Sequence, residues 1–374
     1  MPCLFVIAGE ASGDTHGAGL LAALKKRRPD LEVHGLGGPK MRAVAGAGVE
    51  DWIAEAGVVG LWEVIRHYPW FRKKFDEQLG RIAALEPDAV ILIDYPGFNL
   101  RLAKALRAAM PQLKIIYYIS PQVWAWHGGR IPKMARWLDL MLCIFPFEVD
   151  LYNASGLETI FTGHPLVDHL GAKKIIAPRE PNVVGLFPGS REREVARLFP
   201  MMLEAGRLLR EQRRDLIFLA AAASEPLAAM MRSLAGRLGW CEIECGTAHA
   251  LMQRAAVGVI ASGTASLEAA FFGLPYCLVY KVSWPTYFVG RAVVQVPFLG
   301  IANILAGREV VREFIQHLAT PKNVATEIMR LLSDEQARRQ MQDQLAEVVS
   351  GLGDGGAYER AADAVWGATR LSRS

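Results

Sequence analysis

Carboxylates, hydroxyl residues and glycines recur in this chain directly after short apolar runs, where a parallel sheet would present them at its edge. Ala8-Gly9-Glu10-Ala11-Ser12-Gly13-Asp14-Thr15-His16-Gly17 follows the first such run and leads into a helical stretch. Gly9 and Gly13 permit a tight turn and close approach of the backbone to a ligand. The free N–H groups of the helix start favour an anion or a sugar hydroxyl. Capping by Ser12 or Asp14 explains part of this loop, but Glu10, Asp14 and His16 together exceed what capping needs. A second carboxylate stands in Leu92-Ile93-Asp94-Tyr95-Pro96-Gly97-Phe98-Asn99. At the carboxyl end of a strand, Asp94 is placed to take a proton from an attacking hydroxyl; capping of the next helix is the competing reading. Glu10 and Asp14 are next in line as the base.

The second half of the chain repeats the strand–turn–helix device twice. In Gly185-Leu186-Phe187-Pro188-Gly189-Ser190-Arg191-Glu192, the helix start with Ser190 and Arg191 suits a pyrophosphate. In Ala261-Ser262-Gly263-Thr264-Ala265-Ser266-Leu267-Glu268, small hydroxyl residues and Gly263 open a helix, and Glu268 one turn later can accept from two ribose hydroxyls. Capping accounts for Ser262 or Thr264 but not for the whole set. Lys281 ends a later strand, Ile301–Arg308 reads as a loop that offers Asn303 to phosphates or a sugar, and Glu313 with Gln316 read as one turn of a short helix. Ser120-Pro121-Gln122-Val123-Trp124-Ala125-Trp126-His127, with Arg130 beyond it, fits either a carbohydrate-stacking wall or a buried aromatic loop.

The elements that must carry these loops alternate between strand and helix almost throughout. Uniformly apolar runs at 3–8, 31–35, 88–93, 113–119 and 139–144, separated by amphipathic stretches, predict a parallel sheet covered on both faces. Residues 166–181 read as a linker, after which strands are expected at 182–187, 215–223, 241–244, 256–261 and 276–280. The fold class is therefore α/β, with two doubly wound Rossmann-like domains facing across a cleft. One spans 1–168 and is completed by a last helix at 357–374; the other spans 180–350. Ligands of such sheets bind at the carboxyl ends of the strands. Glycines spaced four apart are not the dinucleotide fingerprint, so a nicotinamide enzyme is the weaker reading.

Composition narrows the classes. The chain has 374 residues, 52% of them hydrophobic, and a net charge of +4, too small to imply nucleic acid. No apolar run approaches the roughly 20 residues of a membrane span, and the N-terminus reads as a strand rather than a signal peptide. Five scattered cysteines argue against a disulfide framework or zinc site and fit a reducing cytoplasm. The segment 58–74 mixes Trp62, Tyr68, Trp70 and Phe71 with Arg66, Arg72, Lys73 and Lys74. It fits a membrane interface with anionic lipids, or a buried helical hairpin with a solvated basic end. Pro69 is expected to separate two helical pieces.

In order, Ala8–Asp14, Gly37-Gly38-Pro39-Lys40-Met41, Ile93–Pro96, Ser120–Trp126, Phe145-Pro146-Phe147-Glu148, Gly163-His164-Pro165, Pro188–Arg191 and Ser262–Thr264 resemble the lipid-A-disaccharide synthase family of glycosyltransferase B enzymes. Each motif alone is weak; the ordered series is specific and covers about 4–350. The resemblance implies inverting transfer without metal or cofactor. The donor would be UDP-2,3-diacylglucosamine and the acceptor 2,3-diacylglucosamine 1-phosphate, giving a β-1′,6-linked disaccharide and UDP. By matching position, Asp94 is the implied base, and Arg191, Glu268, Lys281 and Asn303 are implied donor contacts. The 58–74 segment is the implied contact with the cytoplasmic face of the inner membrane, and an oligomer is left open. Two residues depart from the family's usual pattern: Ala302 stands for Pro, and Gly97 for Asp, which leaves Asp94 the only acid of its turn. A UDP-N-acetylglucosamine 2-epimerase or a non-catalytic sugar-nucleotide or lipid-binding protein would share much of this pattern.

Overall fold

The computed structural model describes residues 1–56, 61–126, 128–175, 177–236, 238–294 and 296–369, with the backbone alone at 61–68, 126, 289, 292 and 293. It contains two compact units, residues 1–165 with 354–374, and residues 166–353. The first is built on β1 (Cys3–Ala8), β2 (Glu32–Gly37), β3 (Val49–Asp51), β4 (Ala89–Ile93), β5 (Lys114–Tyr118), β6 (Leu140–Cys143) and β7 (Thr159–Phe161). The second is built on β8 (Glu180–Phe187), β9 (Ile217–Ala222), β10 (Cys241–Cys245), β11 (Ala255–Ala261), β12 (Tyr276–Tyr280) and β13 (Glu313–Ile315).

Every strand pairs in parallel, in the orders β3-β2-β1-β4-β5-β6-β7 and β10-β9-β8-β11-β12-β13. Burial explains the parallel choice. Leu4–Ala8 and all of β4 are fully enclosed, as strands must be when helices cover both faces. In each sheet the chain runs outward one way from its first strand and then reverses, so a topological switch point lies between β1 and β4 and another between β8 and β11. Register places Ala8 beside Ile93, and Phe187 beside Ile260. The loops that follow these strands therefore emerge side by side, where doubly wound sheets bind ligands.

Several sequence expectations need correction. The 166–181 stretch is not a plain linker: Pro165–Gly171 is helical and β8 starts at Glu180. Ile301–Ala306 is a helix rather than a loop, and Glu313 opens strand β13, with a 3-10 turn at Gln316–Leu318. Pro69 does not divide its segment, because one helix runs from Leu61 to Leu85. The last helix, Ala357–Ala368, packs on helix Ala11–Arg27. There Tyr358 covers Gly19 so closely that a Cβ would lie 2.5 Å from the ring.

The 58–74 segment is also redistributed. Val58–Gly60 and the side chains of 61–68 lie outside the described residues. Trp70 and Phe71 turn inward onto Trp52, with ring centroids at 6.0 and 6.5 Å, so these two aromatics belong to the core. Lys74 is paired with Glu50 at 2.6 Å, while Arg72 and Lys73 are exposed. Trp52 itself is fully buried and donates its indole N–H to the Ala8 carbonyl at 2.6 Å, pinning the end of β1. No helix among the described residues is long and apolar enough to cross a membrane.

Trp52→Ala should therefore cost on the order of 3–5 kcal/mol, the usual range for emptying a buried aromatic site. Urea unfolding followed by far-UV circular dichroism checks this, with an early transition expected for the first unit alone.

Candidate active site

Asp94 is the first residue past β4, and both it and Tyr95 sit in the left-handed region, at φ 45° and 50°. Non-glycine residues pay of order 1 kcal/mol for such a backbone. The surroundings hold it there. The Asp94 carbonyl accepts from Tyr117 Oη at 2.5 Å and from Asn99 Nδ2 at 2.7 Å, and the Asp94 N–H donates to the Tyr118 carbonyl. The strained turn directs the backbone so that the Tyr95 ring lies across Gly9; a Cβ at Gly9 would meet that ring at 2.3 Å. Gly9 is thus needed for packing between the two switch-point loops. Tyr95 Oη donates to the Ala56 carbonyl. Asn99 secures the turn through the Ile93 and Asp94 carbonyls.

Asp94 lines a cavity of about 350 Å³ with Ser120, Gln122 and Arg130 as polar neighbours and Ile119, Pro121, Val123, Ile144 and Phe145 as apolar ones. Burial, and then the negative charge of Glu10, raise its carboxyl to about 6; the Tyr95 N–H pulls the other way. A carboxyl held there is ionised at neutral pH yet far more basic than a solvated aspartate, as a general base should be. Glu10 is exposed at the neighbouring loop and acts on Asp94 through its charge.

Asp14 is otherwise employed. It is 3% exposed, and its two oxygens accept from the N–H groups of Gly38, Met41 and Lys40 at 2.9–3.0 Å. It caps the helix Pro39–Ala45, so its place among the candidate bases is withdrawn.

One residue of the site was passed over as part of a motif. Glu148 is buried, accepts from the Ser120 hydroxyl, from Trp124 Nε1 at 2.9 Å and from the Phe145 N–H at 3.2 Å, and is pushed up to about 7 by burial. It therefore ties together the wall that faces Asp94. The signal for it is an acid in an otherwise aromatic Phe145–Glu148 run. Trp124 is bound into that wall, edge-on to Phe147, rather than presented as a stacking platform. His127 and the side chain of Trp126 lie outside the described residues.

In the second unit, Ser190 and Arg191 follow β8, with Arg191 in extended conformation just ahead of helix Glu192–Gln212. Its side chain is 75% exposed and pairs with Glu194 at 3.1 Å, so it can turn to a ligand at the helix start. Gly189 needs its φ of 110°. Beside it, after β11, Gly263 has φ 153° with open space where a Cβ would stand, and Thr264 is exposed at the first helical position. Glu268 lies one turn on and pairs with His249 Nε2 at 3.3 Å. His249 comes from helix Ala248–Arg254, and its proximity follows from the fold rather than from spacing. Lys281 is half-buried at the end of β12, and Gln316 bonds the Val282 backbone in both directions at 3.0 and 3.1 Å, fixing this segment.

Two expected contacts face inward. Ser266 is 1% exposed and donates to the Gly263 carbonyl at 2.7 Å, shaping the turn. Asn303 is fully buried. Its Nδ2 donates to the Val311 carbonyl and to Glu313, and its Oδ1 accepts from the N–H groups of Val310 and Val311. All four of its hydrogen bonds are used, so it is a prop of the loop and not a phosphate contact. Among the described residues one group, Cys3, Glu32 and His34, brings three metal-type ligand atoms within 4.8 Å of one another, at the opposite edge of the first sheet from Asp94.

A model of the family described as lipid-A-disaccharide synthetase matches residues 4–365. The lipid-A-disaccharide synthase of Geobacter metallireducens is 41% identical over 376 residues, 97% of this chain and 96% of the relative. Among solved structures, UDP-GlcNAc 2-epimerase from Neisseria meningitidis bound to UDP-GlcNAc superposes with a TM-score of 0.64 at 11% identity, and MurG from Acinetobacter baumannii with 0.59 at 12%. In both cases the match covers 98% of this chain and 100% of the other, and at such identities it speaks to fold alone.

Carboxyl-carbon NMR of the unliganded protein should give Asp94 a midpoint at about 6. Glu10→Gln should lower that midpoint, because it removes a charge that disfavours ionisation. An unchanged midpoint would leave burial as the sole cause.

Proposed function

The chain belongs to the lipid-A-disaccharide synthetase family, and on that premise we propose that it condenses UDP-2,3-diacylglucosamine with 2,3-diacylglucosamine 1-phosphate. The observation that carries the residue-level reading is Asp94, held at the β1/β4 switch point in a cavity with its carboxyl raised to about 6. In this reading the first unit takes the acceptor and the second takes the donor. The acceptor 6-hydroxyl attacks the anomeric carbon and gives its proton to Asp94. The bond from that carbon to the β-phosphate oxygen breaks, and the electron pair leaves with UDP. Attack opposite the leaving group gives inversion and a β-1′,6 linkage.

Charge develops on the departing UDP. Arg191 and the N–H groups at the starts of the helices after β8 and β11 supply the compensation, and no metal is required of them. Ser190, Ser262, Gly263 and Thr264 line the phosphate side, Glu268 takes the ribose hydroxyls, and Lys281 stands at the end of β12. Arg130 is the cation of the acceptor cavity and suits the acceptor phosphate. The enzyme works peripherally at the cytoplasmic face of the inner membrane, a reading supported by the lipid character of both substrates and by exposed Arg72 and Lys73.

The 2-epimerase reading draws on the shared fold. It is distinguished by product: an epimerase needs no lipid acceptor to consume its substrate. With UDP-2,3-diacylglucosamine, UDP should be released only when the acylated acceptor is present, and EDTA should leave the rate unchanged. Asp94→Asn should lower turnover by roughly 10²–10⁴-fold, the usual worth of a general base, with UDP affinity retained. Arg191→Ala should instead weaken UDP binding by about tenfold, as expected for loss of a charge-assisted contact. Acceptor-independent release of UDP, or near-normal turnover of the Asp94 variant, would refute the assignment.

A further inference from the structure

Among the described residues of the second unit, the two exposed aromatics stand on one helix. Trp284–Val293 presents Trp284 at 53% and Phe288 at 63% exposure, one turn apart, with half-buried Tyr287 between them. Trp284 stacks on Phe288, and Tyr287 meets both edge-on, at centroid distances of 5.8–5.9 Å. They therefore form one standing aromatic ridge rather than three loose side chains. Single exposed apolar residues need no explanation, whereas a ridge of aromatics does.

Along the sequence the charge beside the ridge is one-sided. From Lys281 to Arg308 the sequence contains no Asp or Glu. Arg308 is neutralised by Glu347, but Lys281 and Arg291 take part in no ion pair among the described residues. Arg291 is exposed seven residues after Trp284 and three after Phe288, on the same face of the helix. Aromatic rings with one apolar and one polar aspect, bordered by uncompensated cations, match the boundary layer of a bilayer with anionic headgroups. The helix is entered directly from β12, whose end carries Lys281, so the ridge stands at the same edge of the sheet as the donor loops.

We propose that the Trp284–Tyr287–Phe288–Arg291 face docks the second unit onto an anionic lipid surface. This rests on the reading above only in that substrates held in a membrane give such docking a purpose. It adds a contact to the one expected of the 58–74 segment, two of whose aromatics pack on Trp52.

The test is cosedimentation of the full-length protein with substrate-free vesicles, of phosphatidylcholine alone or with about a third phosphatidylglycerol. Wild type should bind the anionic vesicles and lose binding as salt rises. Trp284→Ser with Phe288→Ser should reduce the bound fraction about tenfold, and Arg291→Gln about fivefold, on the scale of one surface charge. UDP affinity, as the control for folding, should not change in either variant. Unaltered vesicle binding by the double variant, or no binding by wild type, would overturn the proposal. So would loss of self-association by the double variant with vesicle binding intact, which would assign the ridge to a second copy of the chain. Because the vesicles carry no substrate, failure of the glycosyl-transfer reading would show only in the UDP-release assay and not here.

Discussion

The left-handed turn at Asp94–Tyr95 is the constraint on which the first unit's site depends. Two consecutive non-glycine residues at positive φ are unfavourable alone, and they persist because Tyr117 and Asn99 both hydrogen-bond the Asp94 carbonyl. That turn brings Tyr95 over Gly9, so the loops after β1 and β4 are packed as one piece. It also sets the Asp94 carboxylate in a partly enclosed cavity within reach of Glu10's charge, and this combination raises its basicity. Relaxing the turn would alter the packing, the burial and the proton affinity together. Trp52 supports the same corner from below, bonding the last carbonyl of β1 and packing against Tyr95 and Phe98.

In the proposed function the second unit has a different task, the binding of a departing anion. Its exposed groups, Ser190, Arg191, Gly263 and Thr264, cluster after β8 and β11. They are set by residues that never need to touch a ligand. Ser266 shapes the Gly263 turn, Gln316 fixes the backbone beside Lys281, and Asn303 with Glu313 ties residues 299–311 into one interior network. Buried polar networks of this kind are costly unless complete, and the Asn303 amide is complete. Glu148 plays the corresponding part behind the Asp94 cavity.

Much of this architecture is legible in the sequence, because apolar strands followed by Gly-rich or hydroxyl-rich turns have a direct physical meaning. The long strands fall where the uniformly apolar runs put them. Missed are β3, β7 and β13, three-residue strands at or next to sheet edges that are too short to show a period. Arg191, expected as a ligand contact, is exposed, whereas several polar side chains singled out by type are turned inward. Asp14, Ser266 and Asn303 all look like ligand contacts by type and position, yet each serves the backbone of a neighbouring segment. For Asp14 and Asn303, sequence spacing does not reveal that a segment 7 to 27 residues away will need an acceptor or a donor. Trp70 and Phe71 of the 58–74 segment pack on Trp52, a partner that only the folded sheet supplies.

The account rests on one basic carboxylate, and the pH dependence of kcat/KM for disaccharide formation tests it most directly. A base that must be ionised, with its carboxyl at about 6, predicts a rate that climbs as pH rises through that value and levels off above it. The climb should be absent from the residual activity of Asp94→Asn. A profile flat through that range in the wild type, or one in which the variant keeps the same limb, would contradict the assignment of the proton to Asp94.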